Sequence, residues 1–153
     1  MENNLKDNFL KVEFSSIAEN VGLARIIVAG FIAPLDPTVD EISDIKTAVS
    51  EAVTNAIIHG YDGSDGSDTE DTVKLKISNI GRDITIEVTD SGVGIDNIDQ
   101  VREPMFTTKP EMERSGLGFT VMESFMDSIV VKSAPGEGTT VILAKNLSLE
   151  AQA

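Results

Sequence analysis

The stretch TVDEISDIKTAVSEAVTNAIIHG, Thr38 to Gly60, is the most strongly patterned in the chain and predicts a long central helix. Thr38 followed by Glu41 is a capping-box spacing, in which each side chain can bond the other's backbone N–H. Ile42, Ile45, Val49, Val53, Ala56 and Ile57 then recur at three- and four-residue steps and form one apolar face. Gly60 suits a C-terminal cap. His59, the only histidine, sits where the helix macrodipole favours a cation, and a lone histidine rules out multi-histidine metal sites. Glu51 and Asn55, one turn apart, share a second face with Thr47 and His59.

Outward from this helix, strands stand before and after it. Phe9 to Ser15 is rich in aromatic and β-branched residues and reads as a strand. Ile17 to Phe31 carries apolar residues at helical spacing, and Pro34 and Pro37 punctuate its end. Val73 to Ile80 and Ile84 to Asp90 alternate around Gly81-Arg82-Asp83 and predict a hairpin. Residues 96–109 read as irregular. Gly118 to Met126 reads as a short helix. Ile129 to Ser133 and Thr139 to Ala144 predict a second hairpin, and residues 147–153 a frayed tail. Strands at the front and back with three helices between them predict an α+β fold, a mostly antiparallel sheet covered on one face by helices.

A chain of 153 residues is the size of one domain, 1–153, with a core over about 10–145. It has no cysteine, which excludes disulfides, thiolate metal sites and cysteine nucleophiles. Twelve basic and 26 acidic residues give a net charge of −14, which repels nucleic acid and anionic membranes. Its N-terminus lacks an apolar leader core, and its most apolar stretch, Ile26 to Leu35, is about half the length that spans a bilayer. A cytoplasmic location is expected. The acidic, Gly/Ser-rich run 62–71 reads as a solvated loop. It is a poor EF-hand, because the glutamate of loop position 12 is missing.

Six of the twelve glycines form three G-x-G pairs. Asp90-Ser91-Gly92-Val93-Gly94 closes a strand. It is either a tight turn or a site where a carboxylate accepts a hydrogen bond from an exocyclic amine such as that of adenine. Arg114-Ser115-Gly116-Leu117-Gly118-Phe119 runs into a helix. It is either an ordinary helix start or a phosphate-binding one, with Lys109 and Arg114 adding positive charge. Gly136-Glu137-Gly138-Thr139-Thr140 is either a plain hairpin turn or a turn that sets Thr139 beneath a nucleotide base, next to Asp90. The Glu51/Asn55 pair is equally a solvated helix face. Beside a phosphate loop, Asn55 could offer one neutral oxygen to Mg²⁺ and Glu51 could take a proton from an attacking hydroxyl or water. Neither a Walker A sequence, a G-x-S-x-G elbow nor the protein-kinase signatures occur.

Taken in order, Glu51-x-x-x-Asn55-Ala56, Asp90-x-Gly92-x-Gly94, Gly116-Leu117-Gly118-Phe119 and Gly136-x-Gly138-Thr139-Thr140 resemble the GHKL ATPase/kinase superfamily, of gyrase, histidine kinase and MutL type. The likeness runs from about Leu10 to Lys145. Three stretches, Ala48 to Tyr61, Pro104 to Pro110 and Glu113 to Phe119, are similar to the small serine kinases of that superfamily that act as anti-sigma factors, nearest the sporulation group directed at sigma F.

This resemblance implies a two-layer α/β sandwich of Bergerat type, with a mixed, mostly antiparallel sheet and helices on one face. It implies an ATP lid over 103–115, of which Phe106 to Ser115 closes on the phosphates. It implies a homodimer that binds a sigma factor and uses Mg-ATP to phosphorylate a serine of an anti-anti-sigma partner of protein AA type. By the same resemblance Glu51 is catalytic and Asn55 holds Mg²⁺. ATP or ADP is contacted by Asn55, Asp90, Gly92, Gly94, Thr108, Lys109, Arg114, Ser115, Gly116, Leu117, Gly118, Phe119 and Thr139. Arg25 matches a partner-facing arginine, and is equally a solvated one. The acidic loop and the N-terminal extension are longer than the family's usual ones. An ATPase switch using water, an anti-sigma kinase of the general stress type, and a binding module shaped by its nucleotide are the other readings.

Overall fold

The computed structural model describes residues 5–58, 71–92, 118–134 and 138–147. The long helix, α2, spans Val39–Ile58. Its start is the capping box read from the sequence. The Thr38 N–H donates to Glu41 Oε1 at 2.8 Å, and the Glu41 N–H donates to Thr38 Oγ1 at 3.1 Å. These reciprocal bonds let Glu41 be buried at the helix entry. The helix buries Ile45, Ala48, Val49, Ala52, Val53 and Ala56, close to the apolar stripe expected, while Ile42 and Ile57 are partly buried. The expected cap at His59 and Gly60 lies outside the described residues.

Helix α1 runs Glu19–Ile32, two residues later at its start than the apolar spacing predicts, because Ile17 is held in a turn by its N–H donating to the Ser15 carbonyl. It buries Ala24, Val28 and Ile32. A 3₁₀ turn with Pro34, Ala33–Leu35, follows and ends on Asp36 in the left-handed region. Strand β1 is Asn8–Ser15, β2 is Thr72–Ile80, β3 is Asp83–Asp90, β4 is Ser128–Ala134 and β5 is Gly138–Asn146, with helix α3 at Gly118–Phe125. They form one sheet in the order β1-β2-β3-β5-β4. Every described pair is antiparallel, the pairing expected to predominate. The β2–β3 turn is Gly81-Arg82 only. Asp83 pairs with Ile80 and belongs to the strand, and Gly81 takes the positive φ that so tight a turn requires.

The alternating side chains put Val73, Leu75, Ile77, Ile84, Ile86, Val88, Val141 and Leu143 on one face, and the three described α-helices cover it. Helix α2 lies between α1 and α3 and crosses β2, β3 and β5. Two cationic clamps fix the layers. Arg82 donates to the carbonyls of Leu147 (2.9 Å), Leu35 (2.6 Å) and Asp36 (3.4 Å). Lys145 donates to the Phe125 carbonyl at the C-terminus of α3, where the helix dipole favours a cation, and lies 3.8 Å from Asp44 of α2. Leu147 corrects the reading of 147–153 as tail. It is fully buried, and its N–H and carbonyl both bond Arg82. The rest of that tail, and the acidic loop 62–71, lie outside the described residues. Among the described residues no helix is long and apolar enough to cross a membrane.

Candidate functional site

Asp90 ends β3 at the parity of Val88, so the strand's alternation aims a carboxylate at the helix-covered face. Only 5% of the residue is exposed. Burial pushes its pKa up from 3.8 to about 6, and the backbone N–H groups of Gly92 and Thr139 hold it from going further. The Gly92 bond is 2.9 Å to Oδ1. A buried carboxylate served by two N–H groups has acceptor capacity left over. Such a group suits a neutral donor like an exocyclic amine and repels phosphate.

The register of the sheet sets Thr139 directly across from Asp90. Thr139 is buried, and its Oγ1 lies 2.8 Å from Ser133 Oγ on β4. Gly138 makes the approach of the two strands possible. Its φ is +83°, and a Cβ there would overlap the Asp90 carbonyl oxygen and lie 2.8 Å from Ser91 Cα. Close backbone approach to β3, which neither reading of this G-x-G-T-T segment included, is therefore what the fold uses at Gly138.

The structure thus brings Asp90, Gly92 and Thr139 together. Glu51 and Asn55 are half-buried on α2, the helix that crosses β3 and β5. Gly118 and Phe119 open α3, as the motif leading into a helix predicts. Arg25 is exposed on α1, flanked by exposed Leu23 and by Ile26, which is 70% exposed. Gly94, Thr108, Lys109, Arg114, Ser115, Gly116, Leu117 and the whole of 103–115 lie outside the described residues, as does Gly136. Among the described residues no group of three or more His, Asp or Glu side chains could hold a metal. Ser133 escaped the sequence reading. Its signal is a polar residue at the core-facing parity of Ile129 and Val131, just before a G-x-G-T run.

Residues 14–145 match the model of the histidine kinase-like ATPase domain. Two relatives named anti-sigma F factor are each 52% identical to this chain. That of Clostridium kluyveri aligns over 139 residues, 91% of this chain and 94% of its own. That of Clostridium perfringens (strain SM101) aligns over 142 residues, 93% and 99%. The chain belongs to the anti-sigma F factor family, within the histidine kinase-like ATPase domains. ATP is the nucleotide that an ATPase domain of this kind binds. Two solved structures share the fold. The RsbU and RsbW domains of Rv1364c from Mycobacterium tuberculosis superpose with a TM-score of 0.66 at 19% identity, over 92% of this chain and 32% of that one. The catalytic domain of histidine kinase ThkA gives 0.56 at 18% identity, over 92% and 98%. Both bear out the α+β sandwich with helices on one sheet face.

Proposed function

We propose that this anti-sigma F family member binds and inhibits a sigma factor of sigma F type and phosphorylates a serine on an anti-anti-sigma partner of protein AA type, using Mg-ATP. The observation that carries the reading is the Asp90–Gly92–Thr139 corner, where a buried carboxylate held by two backbone N–H groups keeps acceptor capacity that suits an adenine amine, on a chain half identical to proteins named anti-sigma F factor. Adenine seats against Asp90, with Gly92 and Gly94 letting the backbone come close. The stretch 103–115, with Thr108, Lys109, Arg114 and Ser115, closes over the phosphates. The backbone of Gly116, Leu117, Gly118 and Phe119 meets them at the start of α3. Asn55 gives its side-chain oxygen to Mg²⁺. Glu51, one turn earlier on α2, accepts the proton of the partner's serine hydroxyl as the oxygen attacks the γ-phosphoryl group. Positioning and charge neutralisation supply most of the rate, as in phosphoryl transfer generally.

Arg25, set between exposed Leu23 and Ile26, gives α1 an apolar face with a cation in it, suited to a protein partner. The sheet face opposite the described helices, with Phe9 and Ile80 exposed, offers surface for a homodimer. The protein acts in the cytoplasm, without direct contact to nucleic acid or membrane.

Incubation with labelled ATP, the anti-anti-sigma protein and the sigma factor tests the reading. Label on a partner serine is the expected result. Free phosphate alone would mark an ATPase switch, and sigma capture without turnover a binding module. Glu51→Ala should cut phosphoryl transfer by roughly 10²–10⁴-fold while ATP affinity stays within a few-fold. A parallel loss of ATP binding would remove Glu51 from the role of base. Asn55→Ala should abolish the Mg²⁺-dependent part of nucleotide binding in titration calorimetry. An undiminished response to Mg²⁺ would take the metal from Asn55.

A further inference from the structure

Ser133 borders the base corner and takes no part in the chemistry above. Its Oγ donates to the Gly138 carbonyl at 2.9 Å and lies 2.8 Å from Thr139 Oγ1. A carbonyl oxygen can only accept, and a serine hydroxyl has one proton. The Gly138 bond uses that proton, so the second contact is Thr139 donating to Ser133. Thr139 in turn has a single hydroxyl proton, now committed, and keeps only lone pairs for anything beside it. Ionised Asp90, across the strand pair, also offers only lone pairs.

We infer that Ser133 is a specificity-determining positioning residue, which makes the Asp90–Thr139 corner acceptor-only and so selects the amine edge of adenine over the carbonyl edge of a 6-oxopurine. The inference rests on the reading that adenine seats at Asp90. The two N6 protons of adenine find acceptors there, directly or through a bridging water. A 6-oxopurine can give its N1 proton to Asp90, but its O6 then faces a threonine with no proton to give. Sites built on such polar matching discriminate strongly, because the wrong partner leaves buried groups unpaired.

The test is calorimetric titration of the full chain with ATP and with inosine triphosphate. In Ser133→Ala, the Thr139 proton is released and can turn toward O6. The preference for ATP over inosine triphosphate should then narrow about tenfold, the scale of one net hydrogen bond. Ser133→Thr retains the hydroxyl and should keep the wild-type ratio. In a Thr139→Val background the proton at issue is gone, so adding Ser133→Ala should leave the ratio where Thr139→Val put it. A loosened hairpin would weaken both nucleotides alike and leave the ratio unmoved. An unchanged ratio in Ser133→Ala, or a further change in the Thr139→Val background, overturns the relay. Should Ser133→Ala fail to fold, Ser133→Cys, whose sulfur is a much weaker acceptor for the Thr139 proton, carries the same comparison. Asp90→Asn separates the two levels of the argument. If that variant binds ATP as wild type does, the base reading falls and the relay with it; if it does not, the Ser133 ratios decide the relay alone.

Discussion

Gly138→Ala should lower the thermal unfolding midpoint by roughly 6–12 °C and disrupt ATP binding at the same time. Two costs add. An L-residue held near φ +83° is strained by about 1–2 kcal/mol. The new methyl group would also overlap the backbone at the end of β3, where the Asp90 carbonyl oxygen and Ser91 Cα already fill the space, and overpacking of that kind costs about 1–3 kcal/mol. Their sum, about 3 kcal/mol, gives the stated shift at roughly 2–4 °C per kcal/mol for a chain of this length. Neither neighbouring atom is the movable end of a side chain, so relief requires β5 to back away from β3. That movement takes the Thr139 N–H off the Asp90 carboxylate and opens the corner proposed to seat the base. Gly81→Ala is the internal control. Gly81 also has positive φ, yet a Cβ there meets nothing within 4 Å, so only the backbone cost of about 1–2 kcal/mol remains and nucleotide binding is untouched. Equal melting shifts for the two variants would show that close approach plays no part at Gly138.

The contrast between those glycines marks what could be read in advance. Both lie in recognisable turns, and the hairpins around them follow from alternation alone. What the sequence lacks is distance. That Gly138 abuts β3 rather than open solvent depends on the pairing of Asp90 with Thr139, residues 49 positions apart whose register is fixed only once the sheet forms. The capping box at Thr38 and Glu41 was legible because its bonds are local. The Arg82 clamp was not, since its three carbonyl partners come from the 3₁₀ turn after α1 and from the end of β5, and Leu147 read as tail for the same reason. The site divides along the same line. Asp90, Gly92 and Thr139 carry motif signals, and the fold brings them together. Ser133 has no motif of its own, and the role proposed for it rests on hydrogen bonds that pass across a hairpin turn.

Asp90→Asn should make the nucleotide-free protein more stable at neutral pH and its binding of ATP far weaker. The sign follows from where the carboxyl titrates. Its pKa is 3.8 when exposed and about 6 when folded. Below pH 3.8 both states are protonated and the residue contributes no difference. As the pH rises, the unfolded chain ionises first, so stability falls through this window and the loss is complete above pH 6, at about 3 kcal/mol. Asparagine does not titrate. Urea denaturation should therefore show the stability of Asp90→Asn relative to wild type rising by about that amount between pH 4 and 7, then levelling. The exchange of one N–H acceptor for an amide NH₂ shifts the difference equally at every pH and leaves its slope intact. ATP affinity runs the other way. With adenine seated at Asp90 as proposed, loss of the charge-assisted bond to its amine should weaken binding by roughly 10–100-fold. In wild type the ionised fraction falls about tenfold from pH 7 to pH 5, and affinity should fall with it, while Asp90→Asn shows no such step. A stability difference flat from pH 4 to 7 would mean that the carboxyl is not desolvated in the fold. If both slopes appear, the ionised carboxylate that burdens the free protein is the same group that adenine satisfies, and bound nucleotide offsets a cost built into the empty site.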